Sequence, residues 1–380
     1  MIRRFFRFSF PTLYTPGPVK TTQRTKDAVL IDYGSRDPTF SRMVEEIKVK
    51  VLRIAELSET EYTTIIMQGP GSYGVEGALG AIKKDGSEKI LVARNGHYGM
   101  NIEKIARTLK IPYKVIEKPE NQSITPSDVV NALEDNITHF SMVHSETPTG
   151  MLNPLSSICQ ALNETKPGLV KIIDGISSFG MAPIDLKSAK IHYYCTSFNK
   201  FLQGHPGSGL VLAELNQLKK TKGLAHSLSL DLYDQWDYQL KNYGQFRFTP
   251  PTHMLAALHA SLCEAEEHGG IQRRLEILRE NQRVMHSELH KIGFKPFLAP
   301  ENQALCVTTY YQPSHPNWDF NTFQNALCEK GVWIYPTCVT KSAKTFRVSV
   351  LGDHDTESTL HLVNSIKETL KEMKIEIPLK

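Results

Sequence analysis

Residues 170–214 read VKIIDGISSFGMAPIDLKSAKIHYYCTSFNKFLQGHPGSGLVLAE, and their pattern decides the fold. Three short runs, 170–175, 192–197 and 209–214, are dominated by apolar, β-branched and aromatic residues, and turn or helix signals divide them. Runs of this kind read as buried strands. The first ends on Asp174, and Lys200 follows the second, 26 residues later. Gln203, Gly204, Gly207 and Gly209 come next, so the chain turns tightly around the lysine.

Four similar runs precede this segment: TTIIMQ (63–68), KILVAR (89–94), YKVIE (113–117) and HFSMVHSE (139–146). Strand-like runs alternating with helical stretches imply an α/β fold, with a mainly parallel seven-stranded sheet covered by helices on both faces. In such sheets ligands bind outside the carboxyl ends of the strands. After about residue 255 the pattern changes to a long helical stretch, 254–292, broken at Gly269-Gly270. Short strands near 304–311 and 345–350 and a helix near 355–374 complete a smaller α+β unit. The expected organisation is an N-terminal arm (1–22), a large domain (23–255) and a small C-terminal domain (256–380).

Composition narrows the function classes. Of the 380 residues, 40% are hydrophobic and 22% charged, the balance of a globular chain. A formal charge of +4 without a long basic run gives no footprint for nucleic acid, and no apolar run is long enough to span a bilayer. Cys159, Cys195, Cys263, Cys306, Cys328 and Cys338 form neither a C-x-x-C pair nor a metal-ligand spacing, so reduced thiols, a cytoplasmic setting and no metal site are expected. The N-terminus, MIRRFFRFSF, carries Arg3, Arg4 and Arg7 among aromatics with no acid before Asp27. It reads either as an N-terminal extension or as a mitochondrial presequence.

Taken singly, a strand-end aspartate is usually a helix cap and a lysine a solvated charge. At adjacent strand ends the two fit one demand of pyridoxal 5'-phosphate (PLP) chemistry. That cofactor is held covalently by a lysine amine, and a carboxylate keeps its ring nitrogen protonated. The lysine also moves the proton between substrate and cofactor. In IIMQGPGSYGVEGALGA, Gly71, Ser72 and Tyr73 fall at a helix N-terminus, a natural seat for phosphate. The same segment satisfies G-x-G-x-x-G, but the strand that follows ends in Arg94 rather than an acid, which would suit only an NADP-dependent reductase. In RNGHYGMN, Tyr98 is either a ring that stacks on the cofactor or an ordinary loop aromatic. In HSETPTGMLNP, Thr147 either reaches the cofactor's phenolic oxygen or serves the turn around Pro148 and Gly150.

With these pieces assembled, the chain resembles the class V aminotransferases of the fold-type I PLP superfamily. Within the class it is most similar to the transaminases of 2-aminoethylphosphonate and pyruvate. Likeness runs from YTPGP (14–18) to FRVSVLG (346–352). YGSRD (33–37), QGPGSYGVEG (68–77), NGHYG (95–99), HSETPTGMLNP (144–154), DGISSFG (174–180), SFNKFLQGHPGSG (197–209) and RFTPPTH (247–253) carry it in order.

The resemblance implies PLP on Lys200, Asp174 at the ring nitrogen, Tyr98 as the stacking ring, and Thr147 at the phenolic oxygen. It also implies phosphate contacts from Gly71, Ser72, Tyr73 and Ser197. Thr249 would reach the phosphate of a neighbouring subunit, hence a homodimer, and Arg347 would grip the acid group of each substrate. The expected reaction passes an amino group from 2-aminoethylphosphonate to pyruvate, giving phosphonoacetaldehyde and L-alanine. The alternatives are alanine:glyoxylate and serine:pyruvate aminotransferases. The arginine and aspartate of YGSRD, Arg36 and Asp37, are expected near the mouth of the site and favour the phosphonate. A cysteine desulfurase would have His before its lysine, where Asn199 stands, and a catalytic cysteine, for which Cys338 is the one candidate. Phosphonate transaminases usually carry Cys at Ser145, Thr at Pro148 and Ala at Gly175, and Pro70 departs from their phosphate loop. These positions surround the pocket without removing a catalytic group.

Overall fold

The computed structural model describes residues 10–83, 85–336 and 343–379. The Arg-rich start of the chain and Cys338 lie outside the described residues. Seven strands form the main sheet: β1 (Tyr62–Gln68), β2 (Ile90–Arg94), β3 (Tyr113–Glu117), β4 (His139–Val143), β5 (Val170–Asp174), β6 (Tyr193–Ser197) and β7 (Ser208–Glu214). Their spatial order is β1-β7-β6-β5-β4-β2-β3. β7 runs antiparallel to both its neighbours, and the other pairings are parallel.

Alternation along the strands builds two layers. Ile66, Leu91, Ala93, Phe140, Met142 and Ile173 point into one core, against helices α1 (Pro38–Ile54) and, further along, Leu155–Thr165 and Thr252–Glu267. Ile65, Met67, Ile90, Val92 and Ile172 point into the other, against α2 (Gly71–Leu79) and α3 (His97–Thr108). Both faces are covered, which is why the runs read as apolar throughout.

The run at 139–146 is shorter than expected. β4 stops at Val143, and Ser145-Glu146 turns away to pair with Met151-Leu152. That early exit swings Glu146 and Thr147 over the sheet edge. Chain order places β3 outside β2 and then returns to lay β4 on its other side, so β2 and β4 form the topological switch.

Gly269-Gly270 does break the long helical stretch. α4 (Leu155–Thr165) and α5 (Thr252–Glu267) precede it, α6 (Gly270–Ile292) follows, and Gly269 takes a left-handed φ of 95°. Leu255, Leu258 and Leu262 of α5 belong to the first sheet core. Leu275, Leu278 and Met285 of α6 pack into a separate core with Phe323, Phe346 and Leu362. That core covers a three-stranded sheet of β8 (Thr308–Tyr311), β9 (Tyr335–Pro336) and β10 (Thr345–Val348), and α7 (Thr356–Glu372) packs on it. Thr12-Leu13 pairs with Val332-Trp333, and Tyr14 is buried in the same core. The N-terminal YTPGP segment is thereby carried to the carboxyl end of β6, against Lys200.

Candidate active site

Asp174 closes β5 and is buried. Its carboxylate accepts the Ile176 N–H at 3.0 Å, two residues on, the usual reach of an aspartate at a turn. Burial pushes its carboxyl up to about 6, while that N–H and the charge of Lys200 draw it back.

Lys200 lies in the turn after β6. Phe198, Phe201 and Leu202 are fully buried around it, so the turn is held by packing. Gln203 accepts a φ of 55°, and its N–H reaches back to the Lys200 carbonyl at 2.9 Å. The lysine amine donates to the Pro16 carbonyl at 2.8 Å. A Cβ on Gly17 would stand 2.6 Å from the lysine Cδ, so the YTPGP segment lies directly on this side chain. Burial pulls the amine down to about 8; Cys306 opposes this, Arg347 adds to it, and Asp174 opposes it. The loss of water around the charged amine outweighs these attractions and the hydrogen bond to the carbonyl.

Arg347 sits on β10, half-buried, close enough to bear on the charges of Lys200 and Cys306. Its guanidinium donates to the Pro336 carbonyl at 3.1 Å and lies 5.5 Å from the Tyr335 ring centroid.

The glycine loop reaches the same place. α2 starts at Gly71 behind an extended Pro70. A Cβ on Gly71 would lie 2.6 Å from Ile176 and 3.2 Å from the Cβ of Ser197. The helix start, the residue pair after Asp174 and the end of β6 therefore converge, and only glycine fits. First-turn amides have no partner within a helix, so Gly71 and Ser72 offer donors there. The Tyr73 N–H closes a turn onto the Pro70 carbonyl at 2.9 Å, and its ring lies against Gly69. Pro70 contributes no N–H at all.

Thr147 is buried, and its hydroxyl meets that of Ser177, beyond Asp174. Tyr98 stands at the start of α3 and, with Ser72, Tyr73 and Asp174, lines a cavity of about 170 Å³. Ser197 is buried and bonds the Asn199 side chain at 3.0 Å. Thr249 stands apart: it is exposed, and its carbonyl accepts from Gln68 at 2.6 Å. A larger cavity, about 650 Å³, lies at the beginnings of β4 and β5, among Lys83, Lys166 and Lys220, and touches none of the expected residues.

Several residues here have no role assigned to them by the sequence. Pro16 acts through a backbone carbonyl, and Cys306 and Ser177 carry no motif of their own. Glu146 is wholly buried beside Tyr98, and burial pushes its carboxyl up to about 7. The departures also find partners. Gly175 is required because the Tyr194 ring stands 2.0 Å from where an alanine Cβ would be. Ser145 contacts Cys306 at 3.6 Å, and the Pro148 carbonyl accepts from Thr309 at 3.0 Å. Asp37 caps α1 by accepting the Thr39 N–H at 2.7 Å.

Arg94 is committed to Glu103 at 3.1 Å and Glu117 at 2.8 Å. It is thus a structural ion-pair partner, and the reductase reading loses its contact for a phosphorylated ribose. Among the described residues no cluster of three or more His, Cys, Asp or Glu could hold a metal, and no helix is long and apolar enough to cross a membrane.

The donor set fits PLP. A buried acid, an amine that burial makes easier to deprotonate and a glycine-opened helix start meet at the carboxyl ends of one sheet, the arrangement of fold-type I enzymes. The fold agrees. The chain superposes on ureidoglycine–glyoxylate aminotransferase from Bacillus subtilis with a TM-score of 0.87 at 19% identity, covering 98% of this chain and 96% of that one. For pyridoxamine–pyruvate aminotransferase from Mesorhizobium loti the TM-score is 0.86 at 21% identity, covering 98% and 95%. Residues 33–350 match the family described as Aminotransferase class-V, and the chain belongs to that family of PLP-dependent aminotransferases. It is similar to 2-aminoethylphosphonate–pyruvate transaminases from Bacillus cereus (strain G9842), 37% identical over 356 residues, and Bacillus thuringiensis (strain Al Hakam), 38% identical over 357 residues. Each alignment covers 93% of this chain and 96% of the relative.

Proposed function

We propose that this aminotransferase exchanges an amino group between 2-aminoethylphosphonate and pyruvate, giving phosphonoacetaldehyde and L-alanine. Similarity to transaminases of that name along 93% of the chain is the observation that carries the reading. Arg347 beside Lys200 supports it, because a planar guanidinium suits a phosphonate in one half-reaction and a carboxylate in the other.

When bound, PLP supplies a carbonyl for the amine and a sink for electrons. Lys200 would carry it, and the lysine Nζ would take the proton from the amine-bearing carbon of the substrate and return it. Burial pulls that amine down to about 8, which eases the loss of its proton. Asp174 would hold the proton on the ring nitrogen. Gly71, Ser72 and Ser197 would hold the phosphate, Tyr98 would cover the ring, and Thr147 would reach the phenolic oxygen. Tyr73 would contribute to the phosphate loop through its side of the turn. Thr249, exposed on its own chain, would serve a partner's phosphate in a homodimer with shared sites.

The division into an arm (1–22), a large domain and a small domain belongs to the same proposal. The large domain is taken as 23–255 and the small one as 256–380, with the helix that follows residue 251 packing its Leu255, Leu258 and Leu262 on the first sheet core. Five described cysteines are free thiols, which supports a cytoplasmic setting; the mitochondrion is the alternative through the Arg-rich start.

The test is a pair of assays on the purified protein. Alanine should form from pyruvate with 2-aminoethylphosphonate at a kcat/KM at least tenfold above that for alanine with glyoxylate. The reverse ranking would assign the chain to the alanine:glyoxylate group.

A further inference from the structure

A buried acid with no part in the roles above lies at the topological switch, between the loops that leave β2 and β4. The two carboxylate oxygens of Glu146 accept from successive amides at the start of α3, Tyr98 N–H at 3.0 Å and Gly99 N–H at 2.6 Å. These belong to the set that a helix start leaves without partners, and the helix dipole favours an anion there. The neighbouring glycines make room for this acid. A Cβ on Gly96 would stand 2.5 Å from the Glu146 Cδ, and one on Gly99 would stand 3.4 Å from its Oε1.

A local cap would have met the need of α3 more simply. Ser, Thr, Asp or Asn at the N-cap usually supplies it, yet the N-cap here is Gly96, with no side-chain bond of its own. The cap comes instead from 47 residues further along the chain. It arrives on the loop that also carries Thr147, and the Glu146 carbonyl is itself fixed by the Gly150 N–H at 2.8 Å. One side chain therefore ties the backbone of Tyr98 to the strand end beside Asp174. NGHYG and HSETPTG are two halves of one device.

We infer that Glu146 is a positioning residue, which fixes the ring of Tyr98 over the cofactor seat by holding the Tyr98 and Gly99 amides. The inference rests on the reading of Tyr98 as the residue that covers the ring. Glutamine keeps the shape but sets a second donor against one of the two amides, so it fills the role only in part.

The experiment is a double-mutant cycle on the full chain. Cofactor-free parent, Tyr98→Ala, Glu146→Ala, Glu146→Gln and the Tyr98→Ala/Glu146→Ala double variant are titrated with PLP. Visible absorbance gives Kd, and the circular dichroism of the bound chromophore reports its orientation at saturation. Tyr98→Ala and Glu146→Ala should each raise Kd about tenfold or more, the range seen when supporting contacts of a bound group are removed. The double variant should bind within about threefold of Tyr98→Ala, because the acid acts through that ring. Glu146→Ala should also weaken the induced dichroism, and Glu146→Gln should fall between it and the parent. If Tyr98→Ala weakens binding while Glu146→Ala does not, or if the two effects multiply, Glu146 has no such role. If Tyr98→Ala binds as tightly as the parent, the reading of Tyr98 itself falls and takes this role with it. Should Glu146→Ala not fold, the same cycle run with Glu146→Gln decides the matter.

Discussion

Lys171 and Lys200 are both buried, and burial pulls both amines down to about 8. A shifted pKa therefore does not by itself single out a reactive lysine. Their surroundings differ. Lys171 lies near the start of β5, where its amine is held by the Asn163 side chain at 2.6 Å and the Lys190 carbonyl at 3.3 Å. Lys200 lies past the end of β6, with one carbonyl partner and with Asp174 and Arg347 in electrostatic reach. The first amine is bound into the scaffold. The second is set where the sheet opens, beside an acid and a cation of different strands. The two ends of the parallel strands thus serve different purposes.

The sharpest way to break this comparison is to remove each lysine. Lys200→Ala should lower turnover by about 10³-fold or more and abolish the visible absorbance of lysine-linked cofactor. Lys171→Met should leave kcat within about threefold and instead change stability by ~1–2 kcal/mol, read as a shift in Tm. Equal losses of activity would erase the distinction. Next in size is Asp174→Ala, which should cut kcat by about 10²-fold or more with the cofactor still attached. Near-normal rates would mean that another group protonates the ring. Arg347→Ala should raise KM for at least one acidic substrate by about tenfold or more, the cost of a charge-assisted pair. Unchanged kinetics with every substrate would move the acid-binding site elsewhere.

The smallest effect is a shift of the Lys200 amine itself. Acylation of cofactor-free protein, followed residue by residue in mass spectra, should give Lys200 a midpoint of about 8. Above about pH 6 the Asp174 carboxylate is charged and favours the protonated amine, so Asp174→Asn should lower that midpoint. Arg347 disfavours the protonated amine, so Arg347→Ala should raise it. Opposite signs would contradict the electrostatic arrangement described.

Much of this was legible in the residues. The seven strands fall within a residue of the apolar runs except at 139–146, where His144 begins a turn that periodicity does not mark. Asp174 and Lys200 were legible because strand ends and glycine turns are local signals. Gly269-Gly270 was legible as a helix break for the same reason. Glu146 was not, because its partners are backbone amides far along the chain and carry no residue type. The glycines on either side of His97-Tyr98 were the available hint. Pro16 was hidden likewise, since it acts through a carbonyl that any residue could present. Gly175 looked like a departure until the Tyr194 ring was seen to occupy the space of a Cβ. Arg94 had the residue type for a ribose phosphate, but its two glutamates come from α3 and β3, and only the fold brings them together.

One measurement bears most directly on the two lysines. PLP-saturated enzyme is reduced with borohydride, digested and mapped by mass spectrometry. The account predicts a pyridoxyl adduct on Lys200 and an unmodified Lys171. An adduct on Lys171, or saturated enzyme with no adduct on Lys200, would contradict it.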